Sequence, residues 1–179
     1  LVVPARFFDL YPLDQIDMPE IPPGHLDKQH PVHKRMRSMF GAVDFPDEQV
    51  RRARAAYYGL ITYMDEKIGR LLQVLEETGQ RDNTVVVHFS DHGEMNGEHG
   101  MWRKSSFYEA SSRVPLQIVW PGQIAAGQRL AEVVSLVDLV ATVVDMADAP
   151  TVATLDGDSL LGLMQGQDED WKDEAFCEY

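Results

Sequence analysis

Asp91 and His92 adjoin in the run Val85-Val86-Val87-His88-Phe89-Ser90-Asp91-His92-Gly93-Glu94, and Lys104 follows a short way on. A carboxylate beside an imidazole is a ligand pair for a divalent cation. A hard cation wants several oxygens, so two adjacent residues supply only part of its shell and the rest must come from elsewhere in the fold. Taken one at a time the residues carry less. Asp91 is equally at home as a helix cap, His92 as an ordinary hydrogen-bonded histidine, and Lys104 as a solvated lysine.

What would position them is a strand. The unbroken apolar, β-branched run before Asp91 reads as a strand buried on both faces, and in open α/β sheets ligands collect at the carboxyl ends of such strands. Gly93 permits a tight exit from it. The segment from Glu94 to Ser106 is polar, punctuated by glycine and too long to be a mere connection, as loops that carry function often are. Val114 to Trp120 reads as a second strand, with Pro115 near its start and Pro121-Gly122 as its turn. The expected fold class is therefore α/β, with a mostly parallel central sheet flanked by helices.

The helices are marked by periodicity. Pro46, Asp47 and Glu48 suit a first helical turn, and Val50, Tyr57, Leu60, Ile61, Met64, Ile68, Leu71, Leu72 and Leu75 then form one apolar stripe until Gly79. This predicts a long crossover helix packed on a sheet, with Arg51, Arg52, Arg54, Glu66, Lys67 and Glu76 on its solvated face. A short strand is expected within Gln128 to Ser135, a helix over Leu136 to Ala147, and a shorter one through Leu160 to Met164. Asp158 or Ser159 is available to cap that last helix. Asp156-Gly157-Asp158 reads as a turn, because the further spaced acids and distal glutamate of a calcium-binding EF-hand are absent. From Leu1 to about Asp44, repeated prolines predict an irregular segment that wraps the surface, with His25, His30 and His33 as solvated loop histidines.

Composition narrows the classes. With 16 Lys+Arg against 29 Asp+Glu the net charge is −13, which repels phosphate backbones and argues against a nucleic-acid partner. The single cysteine, Cys177, excludes an internal disulfide and a cysteine-based zinc site. No apolar run is long enough for a transmembrane segment. The chain begins with Leu1 inside a proline-rich stretch and is expected to be a piece of a larger protein.

Several motifs together resemble the sulfatase family of the alkaline-phosphatase superfamily: Asp91-His92-Gly93-Glu94, Gly97-Glu98-His99-Gly100-Met101-Trp102, Lys104, Phe107-Tyr108-Glu109 and Arg113-Val114-Pro115-Leu116. The resemblance extends outward through Phe8-Asp9-Leu10-Tyr11-Pro12, Tyr57-Tyr58, Asp65 with Ile68-Gly69, Val137-Asp138-Leu139 with Thr142, and Asp156-Gly157 with Ser159-Leu160. Histidine at position 92 resembles the choline-sulfatase, iduronate-sulfatase and phosphonate-monoester-hydrolase branches, and the Arg113-Val114-Pro115-Leu116 run with Phe107-Tyr108-Glu109 leans toward the bacterial choline-sulfatase-like one. The resemblance implies part of an alkaline-phosphatase-like sandwich, namely a partial catalytic domain over residues 1–179 without the N-terminal nucleophile region or the C-terminal subdomain.

The resemblance further implies that Asp91 and His92 ligate a divalent metal, calcium first with manganese or magnesium as alternatives. Lys104 would contact the oxygens of a small-molecule sulfate ester, and His99 is a candidate for the pocket wall beside it. The phosphonate and phosphate ester hydrolases of the same superfamily are the nearest rivals, and a non-catalytic binding or structural module is the rival of a different class. The family's formylglycine nucleophile arises within a Cys/Ser-x-Pro-x-Arg motif that this chain lacks; it is expected upstream, so the chain by itself is expected to be inactive. A homo-oligomer is compatible with the resemblance. Glu109 and Arg113 are expected to form a buried or half-buried ion pair, Trp102 to pack the loop against the core, and Glu94 to orient His92.

Overall fold

A computed structural model describes residues 2–39, 45–150, 154–167 and 170–178. The chain divides into two compact units, Leu1–Arg81 with His92–Pro115, and Asp82–Asp91 with Leu116–Tyr179.

The first unit is built on the long helix α4, Asp47–Glu77, which follows Pro46 and carries Asp47 and Glu48 in its first turn. Thr78 closes it, and Gly79 turns the chain away at φ +65°. Its buried face is Val50, Arg54, Ala55, Ala56 and Gly59, and it packs against α1, Ala5–Phe8. Small residues make that approach close: a Cβ at Gly59 would stand 3.0 Å from the Phe7 carbonyl oxygen. Phe7 is buried and meets Tyr63 edge to face at 5.4 Å. Of the stripe expected to be buried only Val50 is on the buried face, and Ile61, Met64 and Leu71 are each half or more exposed. Of the arginines assigned to the solvated face, Arg54 is buried.

The N-terminal segment is more ordered than expected. It contains α1, a 3-10 turn at Leu13–Gln15, α2 at His25–Lys28 and the nine-residue α3 at Pro31–Met39, and it buries Phe7 and Ile16. Pro31 takes the first position of α3, where a missing N–H costs nothing, so a proline read as an interruption is a helix start.

The second unit holds the sheet, and here the expected fold class is overturned. Among the described residues the sheet has two strands, β1 at Val86–Phe89 and β2 at Leu116–Val119, paired antiparallel with Val86 opposite Val119 and Phe89 opposite Leu116. The chain is mostly helical, not an α/β sandwich on a parallel sheet. A parallel neighbour needs a helical crossover, whereas the connection from β1 to β2 contains only single turns, the 3-10 turn Glu98–Gly100 and α5 at Glu109–Ser112. Nor is β1 enclosed on both faces, for Phe89 is 50% exposed. No strand forms within residues 128–135. Side chains satisfy that backbone instead: the Val133 N–H donates to Asp173 Oδ1 at 2.7 Å and Trp171 Nε1 donates to the Val133 carbonyl at 2.9 Å.

The core of the second unit is Leu139, Leu160 and Met164, with Val87, Leu116, Ile118 and Trp171 packed on them. These residues come from both strands, from α6 at Asp138–Met146, from α7 at Leu161–Met164 with Leu160 just before it, and from Trp171 in the segment that follows. At the start of α6 the Asp138 side chain is completely buried. It accepts from the Ser135 N–H at 2.8 Å, the Asp158 N–H at 3.0 Å and Lys172 Nζ at 2.9 Å. Burial pushes its carboxyl upward, but the bond from Lys172 and the two backbone bonds outweigh that and hold it below the ordinary carboxylate value. Asp156-Gly157-Asp158 is the turn that meets it: a Cβ on Gly157 would lie 2.3 Å from the Val137 carbonyl oxygen. Ser159 Oγ accepts from the Leu161 N–H at 3.2 Å, a cap-like contact at the entry to α7. No helix among the described residues is long and apolar enough to cross a membrane.

Candidate active site

Asp91 is exposed two residues beyond the end of β1, and His92 follows it, half-buried. The Gly93 N–H donates to the Ser111 carbonyl at 2.8 Å. The backbones approach so closely that a Cβ at Gly93 would stand 2.1 Å from the Ala110 carbonyl oxygen, which is why glycine is required there.

The loop from Glu94 to Ser105 is closed upon itself. The Met95 N–H donates to the Arg103 carbonyl at 2.7 Å and the Gly97 N–H to the Met101 carbonyl at 2.9 Å. Glu94 Oε1 accepts from the Arg103 N–H at 2.5 Å and the Asn96 N–H at 3.3 Å, so Glu94 shapes the loop backbone. Met95 and Met101 are fully buried beneath it. Trp102 meets Phe45 edge to face at 5.5 Å. Four non-glycine residues hold left-handed backbone, Asn96 (φ 48°), His99 (φ 55°), Arg103 (φ 66°) and Ser105 (φ 74°).

The loop delivers Lys104 to His92, with Nζ 2.5 Å from His92 Nε2. His92 Nδ1 lies 2.8 Å from the Gly93 carbonyl oxygen. A carbonyl only accepts, so Nδ1 carries the proton and Nε2 presents its lone pair to the lysine N–H. That tautomer leaves Nε2 as the nitrogen able to serve a cation or an acidic proton.

His99 goes elsewhere. Its Nδ1 is 3.0 Å from His25 Nε2, its ring stacks on Tyr108 at 3.9 Å and 11°, and its carbonyl accepts from Gln29 Nε2 at 2.7 Å. His33 sits 4.8 Å from the same tyrosine ring. The loop histidines expected to be solvated thus form a cluster. Burial lowers the His99 pKa below its ordinary value, His25 pushes the same way, and Glu98 opposes them. Burial and then His30 likewise lower His33.

The Glu109–Arg113 pair forms at 3.2 Å from the first residue of α5 to the residue that follows it, but both side chains are about four-fifths exposed, so it is a surface pair, not a buried one. Sequence reasoning missed Arg54, which is 5% exposed and holds the loop. Its signal is its place four residues after Val50, on the buried face of α4. A cleft of about 880 Å³ in the first unit takes Glu94, Trp102 and Arg103 from the loop, with Phe8, Phe45 and Arg52 opposite, but is lined by neither His92 nor Lys104.

As a metal centre the donor set is incomplete. Among the described residues no group of three or more His, Cys, Asp or Glu side chains could hold an ion. Asp91 and His92 have the right chemistry for two ligands and no more.

The family model described as Sulfatase matches residues 19–149. The choline-sulfatase of Rhizobium meliloti is 38% identical over 170 residues, covering 92% of this chain and 33% of that protein. An arylsulfatase of Clostridium perfringens is 34% identical over 180 residues, covering 98% and 37%. Among solved structures, the phosphonate monoester hydrolase of Silicibacter pomeroyi superposes with a TM-score of 0.88 at 32% identity, covering 96% of this chain and 36% of that one. The chain thus spans about a third of the length of the relatives it matches.

Proposed function

This chain belongs to the sulfatase family, and from that premise we propose that it supplies part of the active site of a hydrolase acting on esters of tetrahedral phosphorus or sulfur anions, phosphonate or phosphate esters first. The observation that carries the reading is the Lys104–His92 contact, an ammonium and an imidazole presented together, with Asp91 the residue before His92 in the chain. The choice of phosphorus over sulfur leans on the likeness to the Silicibacter pomeroyi phosphonate monoester hydrolase, with a TM-score of 0.88. A sulfate ester is the second reading, favoured by 38% identity to a choline-sulfatase.

In this reading the Lys104 ammonium binds a non-bridging oxygen of the ester and offsets the charge that moves to the leaving oxygen as the ester bond breaks. His92, fixed in one tautomer by the Gly93 carbonyl, holds Nε2 toward the same place, and Gly93 keeps it there through Ser111. Asp91 and His92 would serve as two ligands of a divalent metal, calcium first, and the remaining donors would come from outside this chain. Such a metal, when bound, supplies positive charge at the ester oxygens. No step is assigned to His99, whose ring is engaged by His25 and Tyr108. We further propose that the chain works as the later part of a catalytic domain whose nucleophile lies upstream.

The test is turnover by the full-length enzyme of p-nitrophenyl phenylphosphonate and p-nitrophenyl sulfate. Faster turnover of the phosphonate supports the first reading, and faster turnover of the sulfate supports the second. Turnover of neither sinks both.

A further inference from the structure

We infer that Arg54 is a positioning residue for Lys104, an inference that rests on the proposed role of Lys104 at the ester. Arg54 lies on α4, yet its guanidinium reaches two other segments. Nη1 donates to the Asn96 carbonyl at 3.1 Å and to Glu98 Oε1 at 3.0 Å, and Nη2 to Asp17 Oδ2 at 2.8 Å. The Tyr58 hydroxyl completes the set, 3.3 Å from Nη2 and 3.2 Å from Asp17 Oδ1. A charge this deeply buried persists only when paired and hydrogen-bonded, and here the pairing is with the loop that carries Lys104.

That loop needs holding. Asn96, His99, Arg103 and Ser105 adopt left-handed backbone, which L residues keep only where the surroundings over-determine it. Arg54 grips the carbonyl of the first of these, Asn96, directly. From there the path to Lys104 is short: Met95, next to Asn96, donates to the Arg103 carbonyl, and Lys104 is the next residue. Whatever fixes Asn96 and Glu98 fixes the base from which the Lys104 side chain extends to His92. The planar fork explains why the residue is arginine, because it serves the loop with one nitrogen and Asp17 with the other, which a lysine ammonium cannot do in the same geometry.

The test is a double-mutant cycle in the full-length enzyme, using whichever of the two nitrophenyl esters turns over faster. Arg54→Lys keeps the charge and loses the fork, and Glu98→Gln removes the loop's half of the ion pair while leaving α4 and Asp17 untouched. Each should lower kcat about tenfold with little change in KM, the scale expected of a small misplacement of a reacting group. In a Lys104→Ala background each should change kcat by less than about twofold, because the effect travels through Lys104. Losses that multiply unchanged in that background overturn the positioning role, as does wild-type kcat in both single variants. Lys104→Ala with undiminished turnover sinks the site reading itself, which is a different result. Hydrogen exchange supplies a readout independent of turnover: the Met95 and Gly97 amides should exchange at least about tenfold faster in Glu98→Gln, and unchanged exchange overturns the hold of Arg54 on the loop.

Discussion

Among the described residues each unit buries one charged side chain, Arg54 in the first and Asp138 in the second, and the two charges do different work. Asp138, in the second unit, is an anion that gathers two backbone N–H groups and Lys172 at the start of α6. Its partners are structural, and removing it takes one shared acceptor from three donors at once. Arg54, in the first unit, is a cation that gathers the Asn96 carbonyl and the carboxylates of Asp17 and Glu98, whose side chains are 70% and 38% exposed. Those carboxylates can turn to water when the arginine goes. A buried charge that ties together backbone groups fixes stability; one paired with carboxylates that can turn to solvent fixes geometry at modest thermodynamic cost.

The largest effect that sharpens this contrast is on chemistry in the first unit. Lys104→Ala in the full-length enzyme should lower kcat/KM by about 10²–10³, on the scale of losing one charge-stabilising donor, while the melting temperature stays unchanged because Lys104 is exposed. A fall in melting temperature in step with activity breaks the contrast. Next comes the second unit's own charge: Asp138→Ala should cost about 3 kcal/mol in denaturant unfolding, yet alter turnover per folded molecule less than about twofold. A specific loss of turnover at full stability would break the contrast from the other side. Gly157→Ala should cost about 2 kcal/mol, since its Cβ would press within 2.3 Å of the Val137 carbonyl oxygen and 2.7 Å of Asp138 Cα. Gly93→Ala, with a similar clash at Ala110, should show itself in turnover as well, because His92 is its neighbour.

The smallest effect is the pH response. His33 and His99 have folded pKa values below the ordinary one, so between the two values the unfolded chain binds more protons than the folded chain. Stability of the first unit should therefore begin to fall as pH drops through about 6.5. Asp138 is also lowered, but from the carboxylate value, so its contribution is intact above about pH 4 and is lost as pH falls through its folded pKa. Hydrogen exchange followed against pH should show the first unit loosening before the second, and simultaneous loosening would undo the distinction.

What the sequence revealed follows the range of the forces involved. Helix α4 was legible from Pro46, its acidic first turn and Gly79, and both strands were found near their observed bounds, because these signals are local. Strand direction was not legible, since an apolar run such as Val85 to Phe89 looks the same whichever way its neighbour runs. The nine-residue α3 was hidden by reading Pro31 as a break. Motif singled out Asp91, His92 and Lys104 as candidates, but the contact of His92 with Lys104 depends on the closed loop between them, and the contacts of Arg54, His25 and Tyr108 join segments remote in sequence. Spacing cannot show a guanidinium turned inward; only its step from Val50 hinted at it.

The short bond from the Gly93 N–H to the Ser111 carbonyl also bears on the order in which the chain folds. β1 and β2 belong to one unit, but residues 92–115, which belong to the other, lie between them in sequence. Pairing four-residue strands across an open excursion of that length would cost loop-closure entropy that so small a sheet repays poorly. Cinching the excursion at its neck shortens the effective loop before any strand pairing occurs. The sheet should accordingly form late, after the excursion has closed, and mutations at Gly93 should slow refolding while those within β2 mainly hasten unfolding.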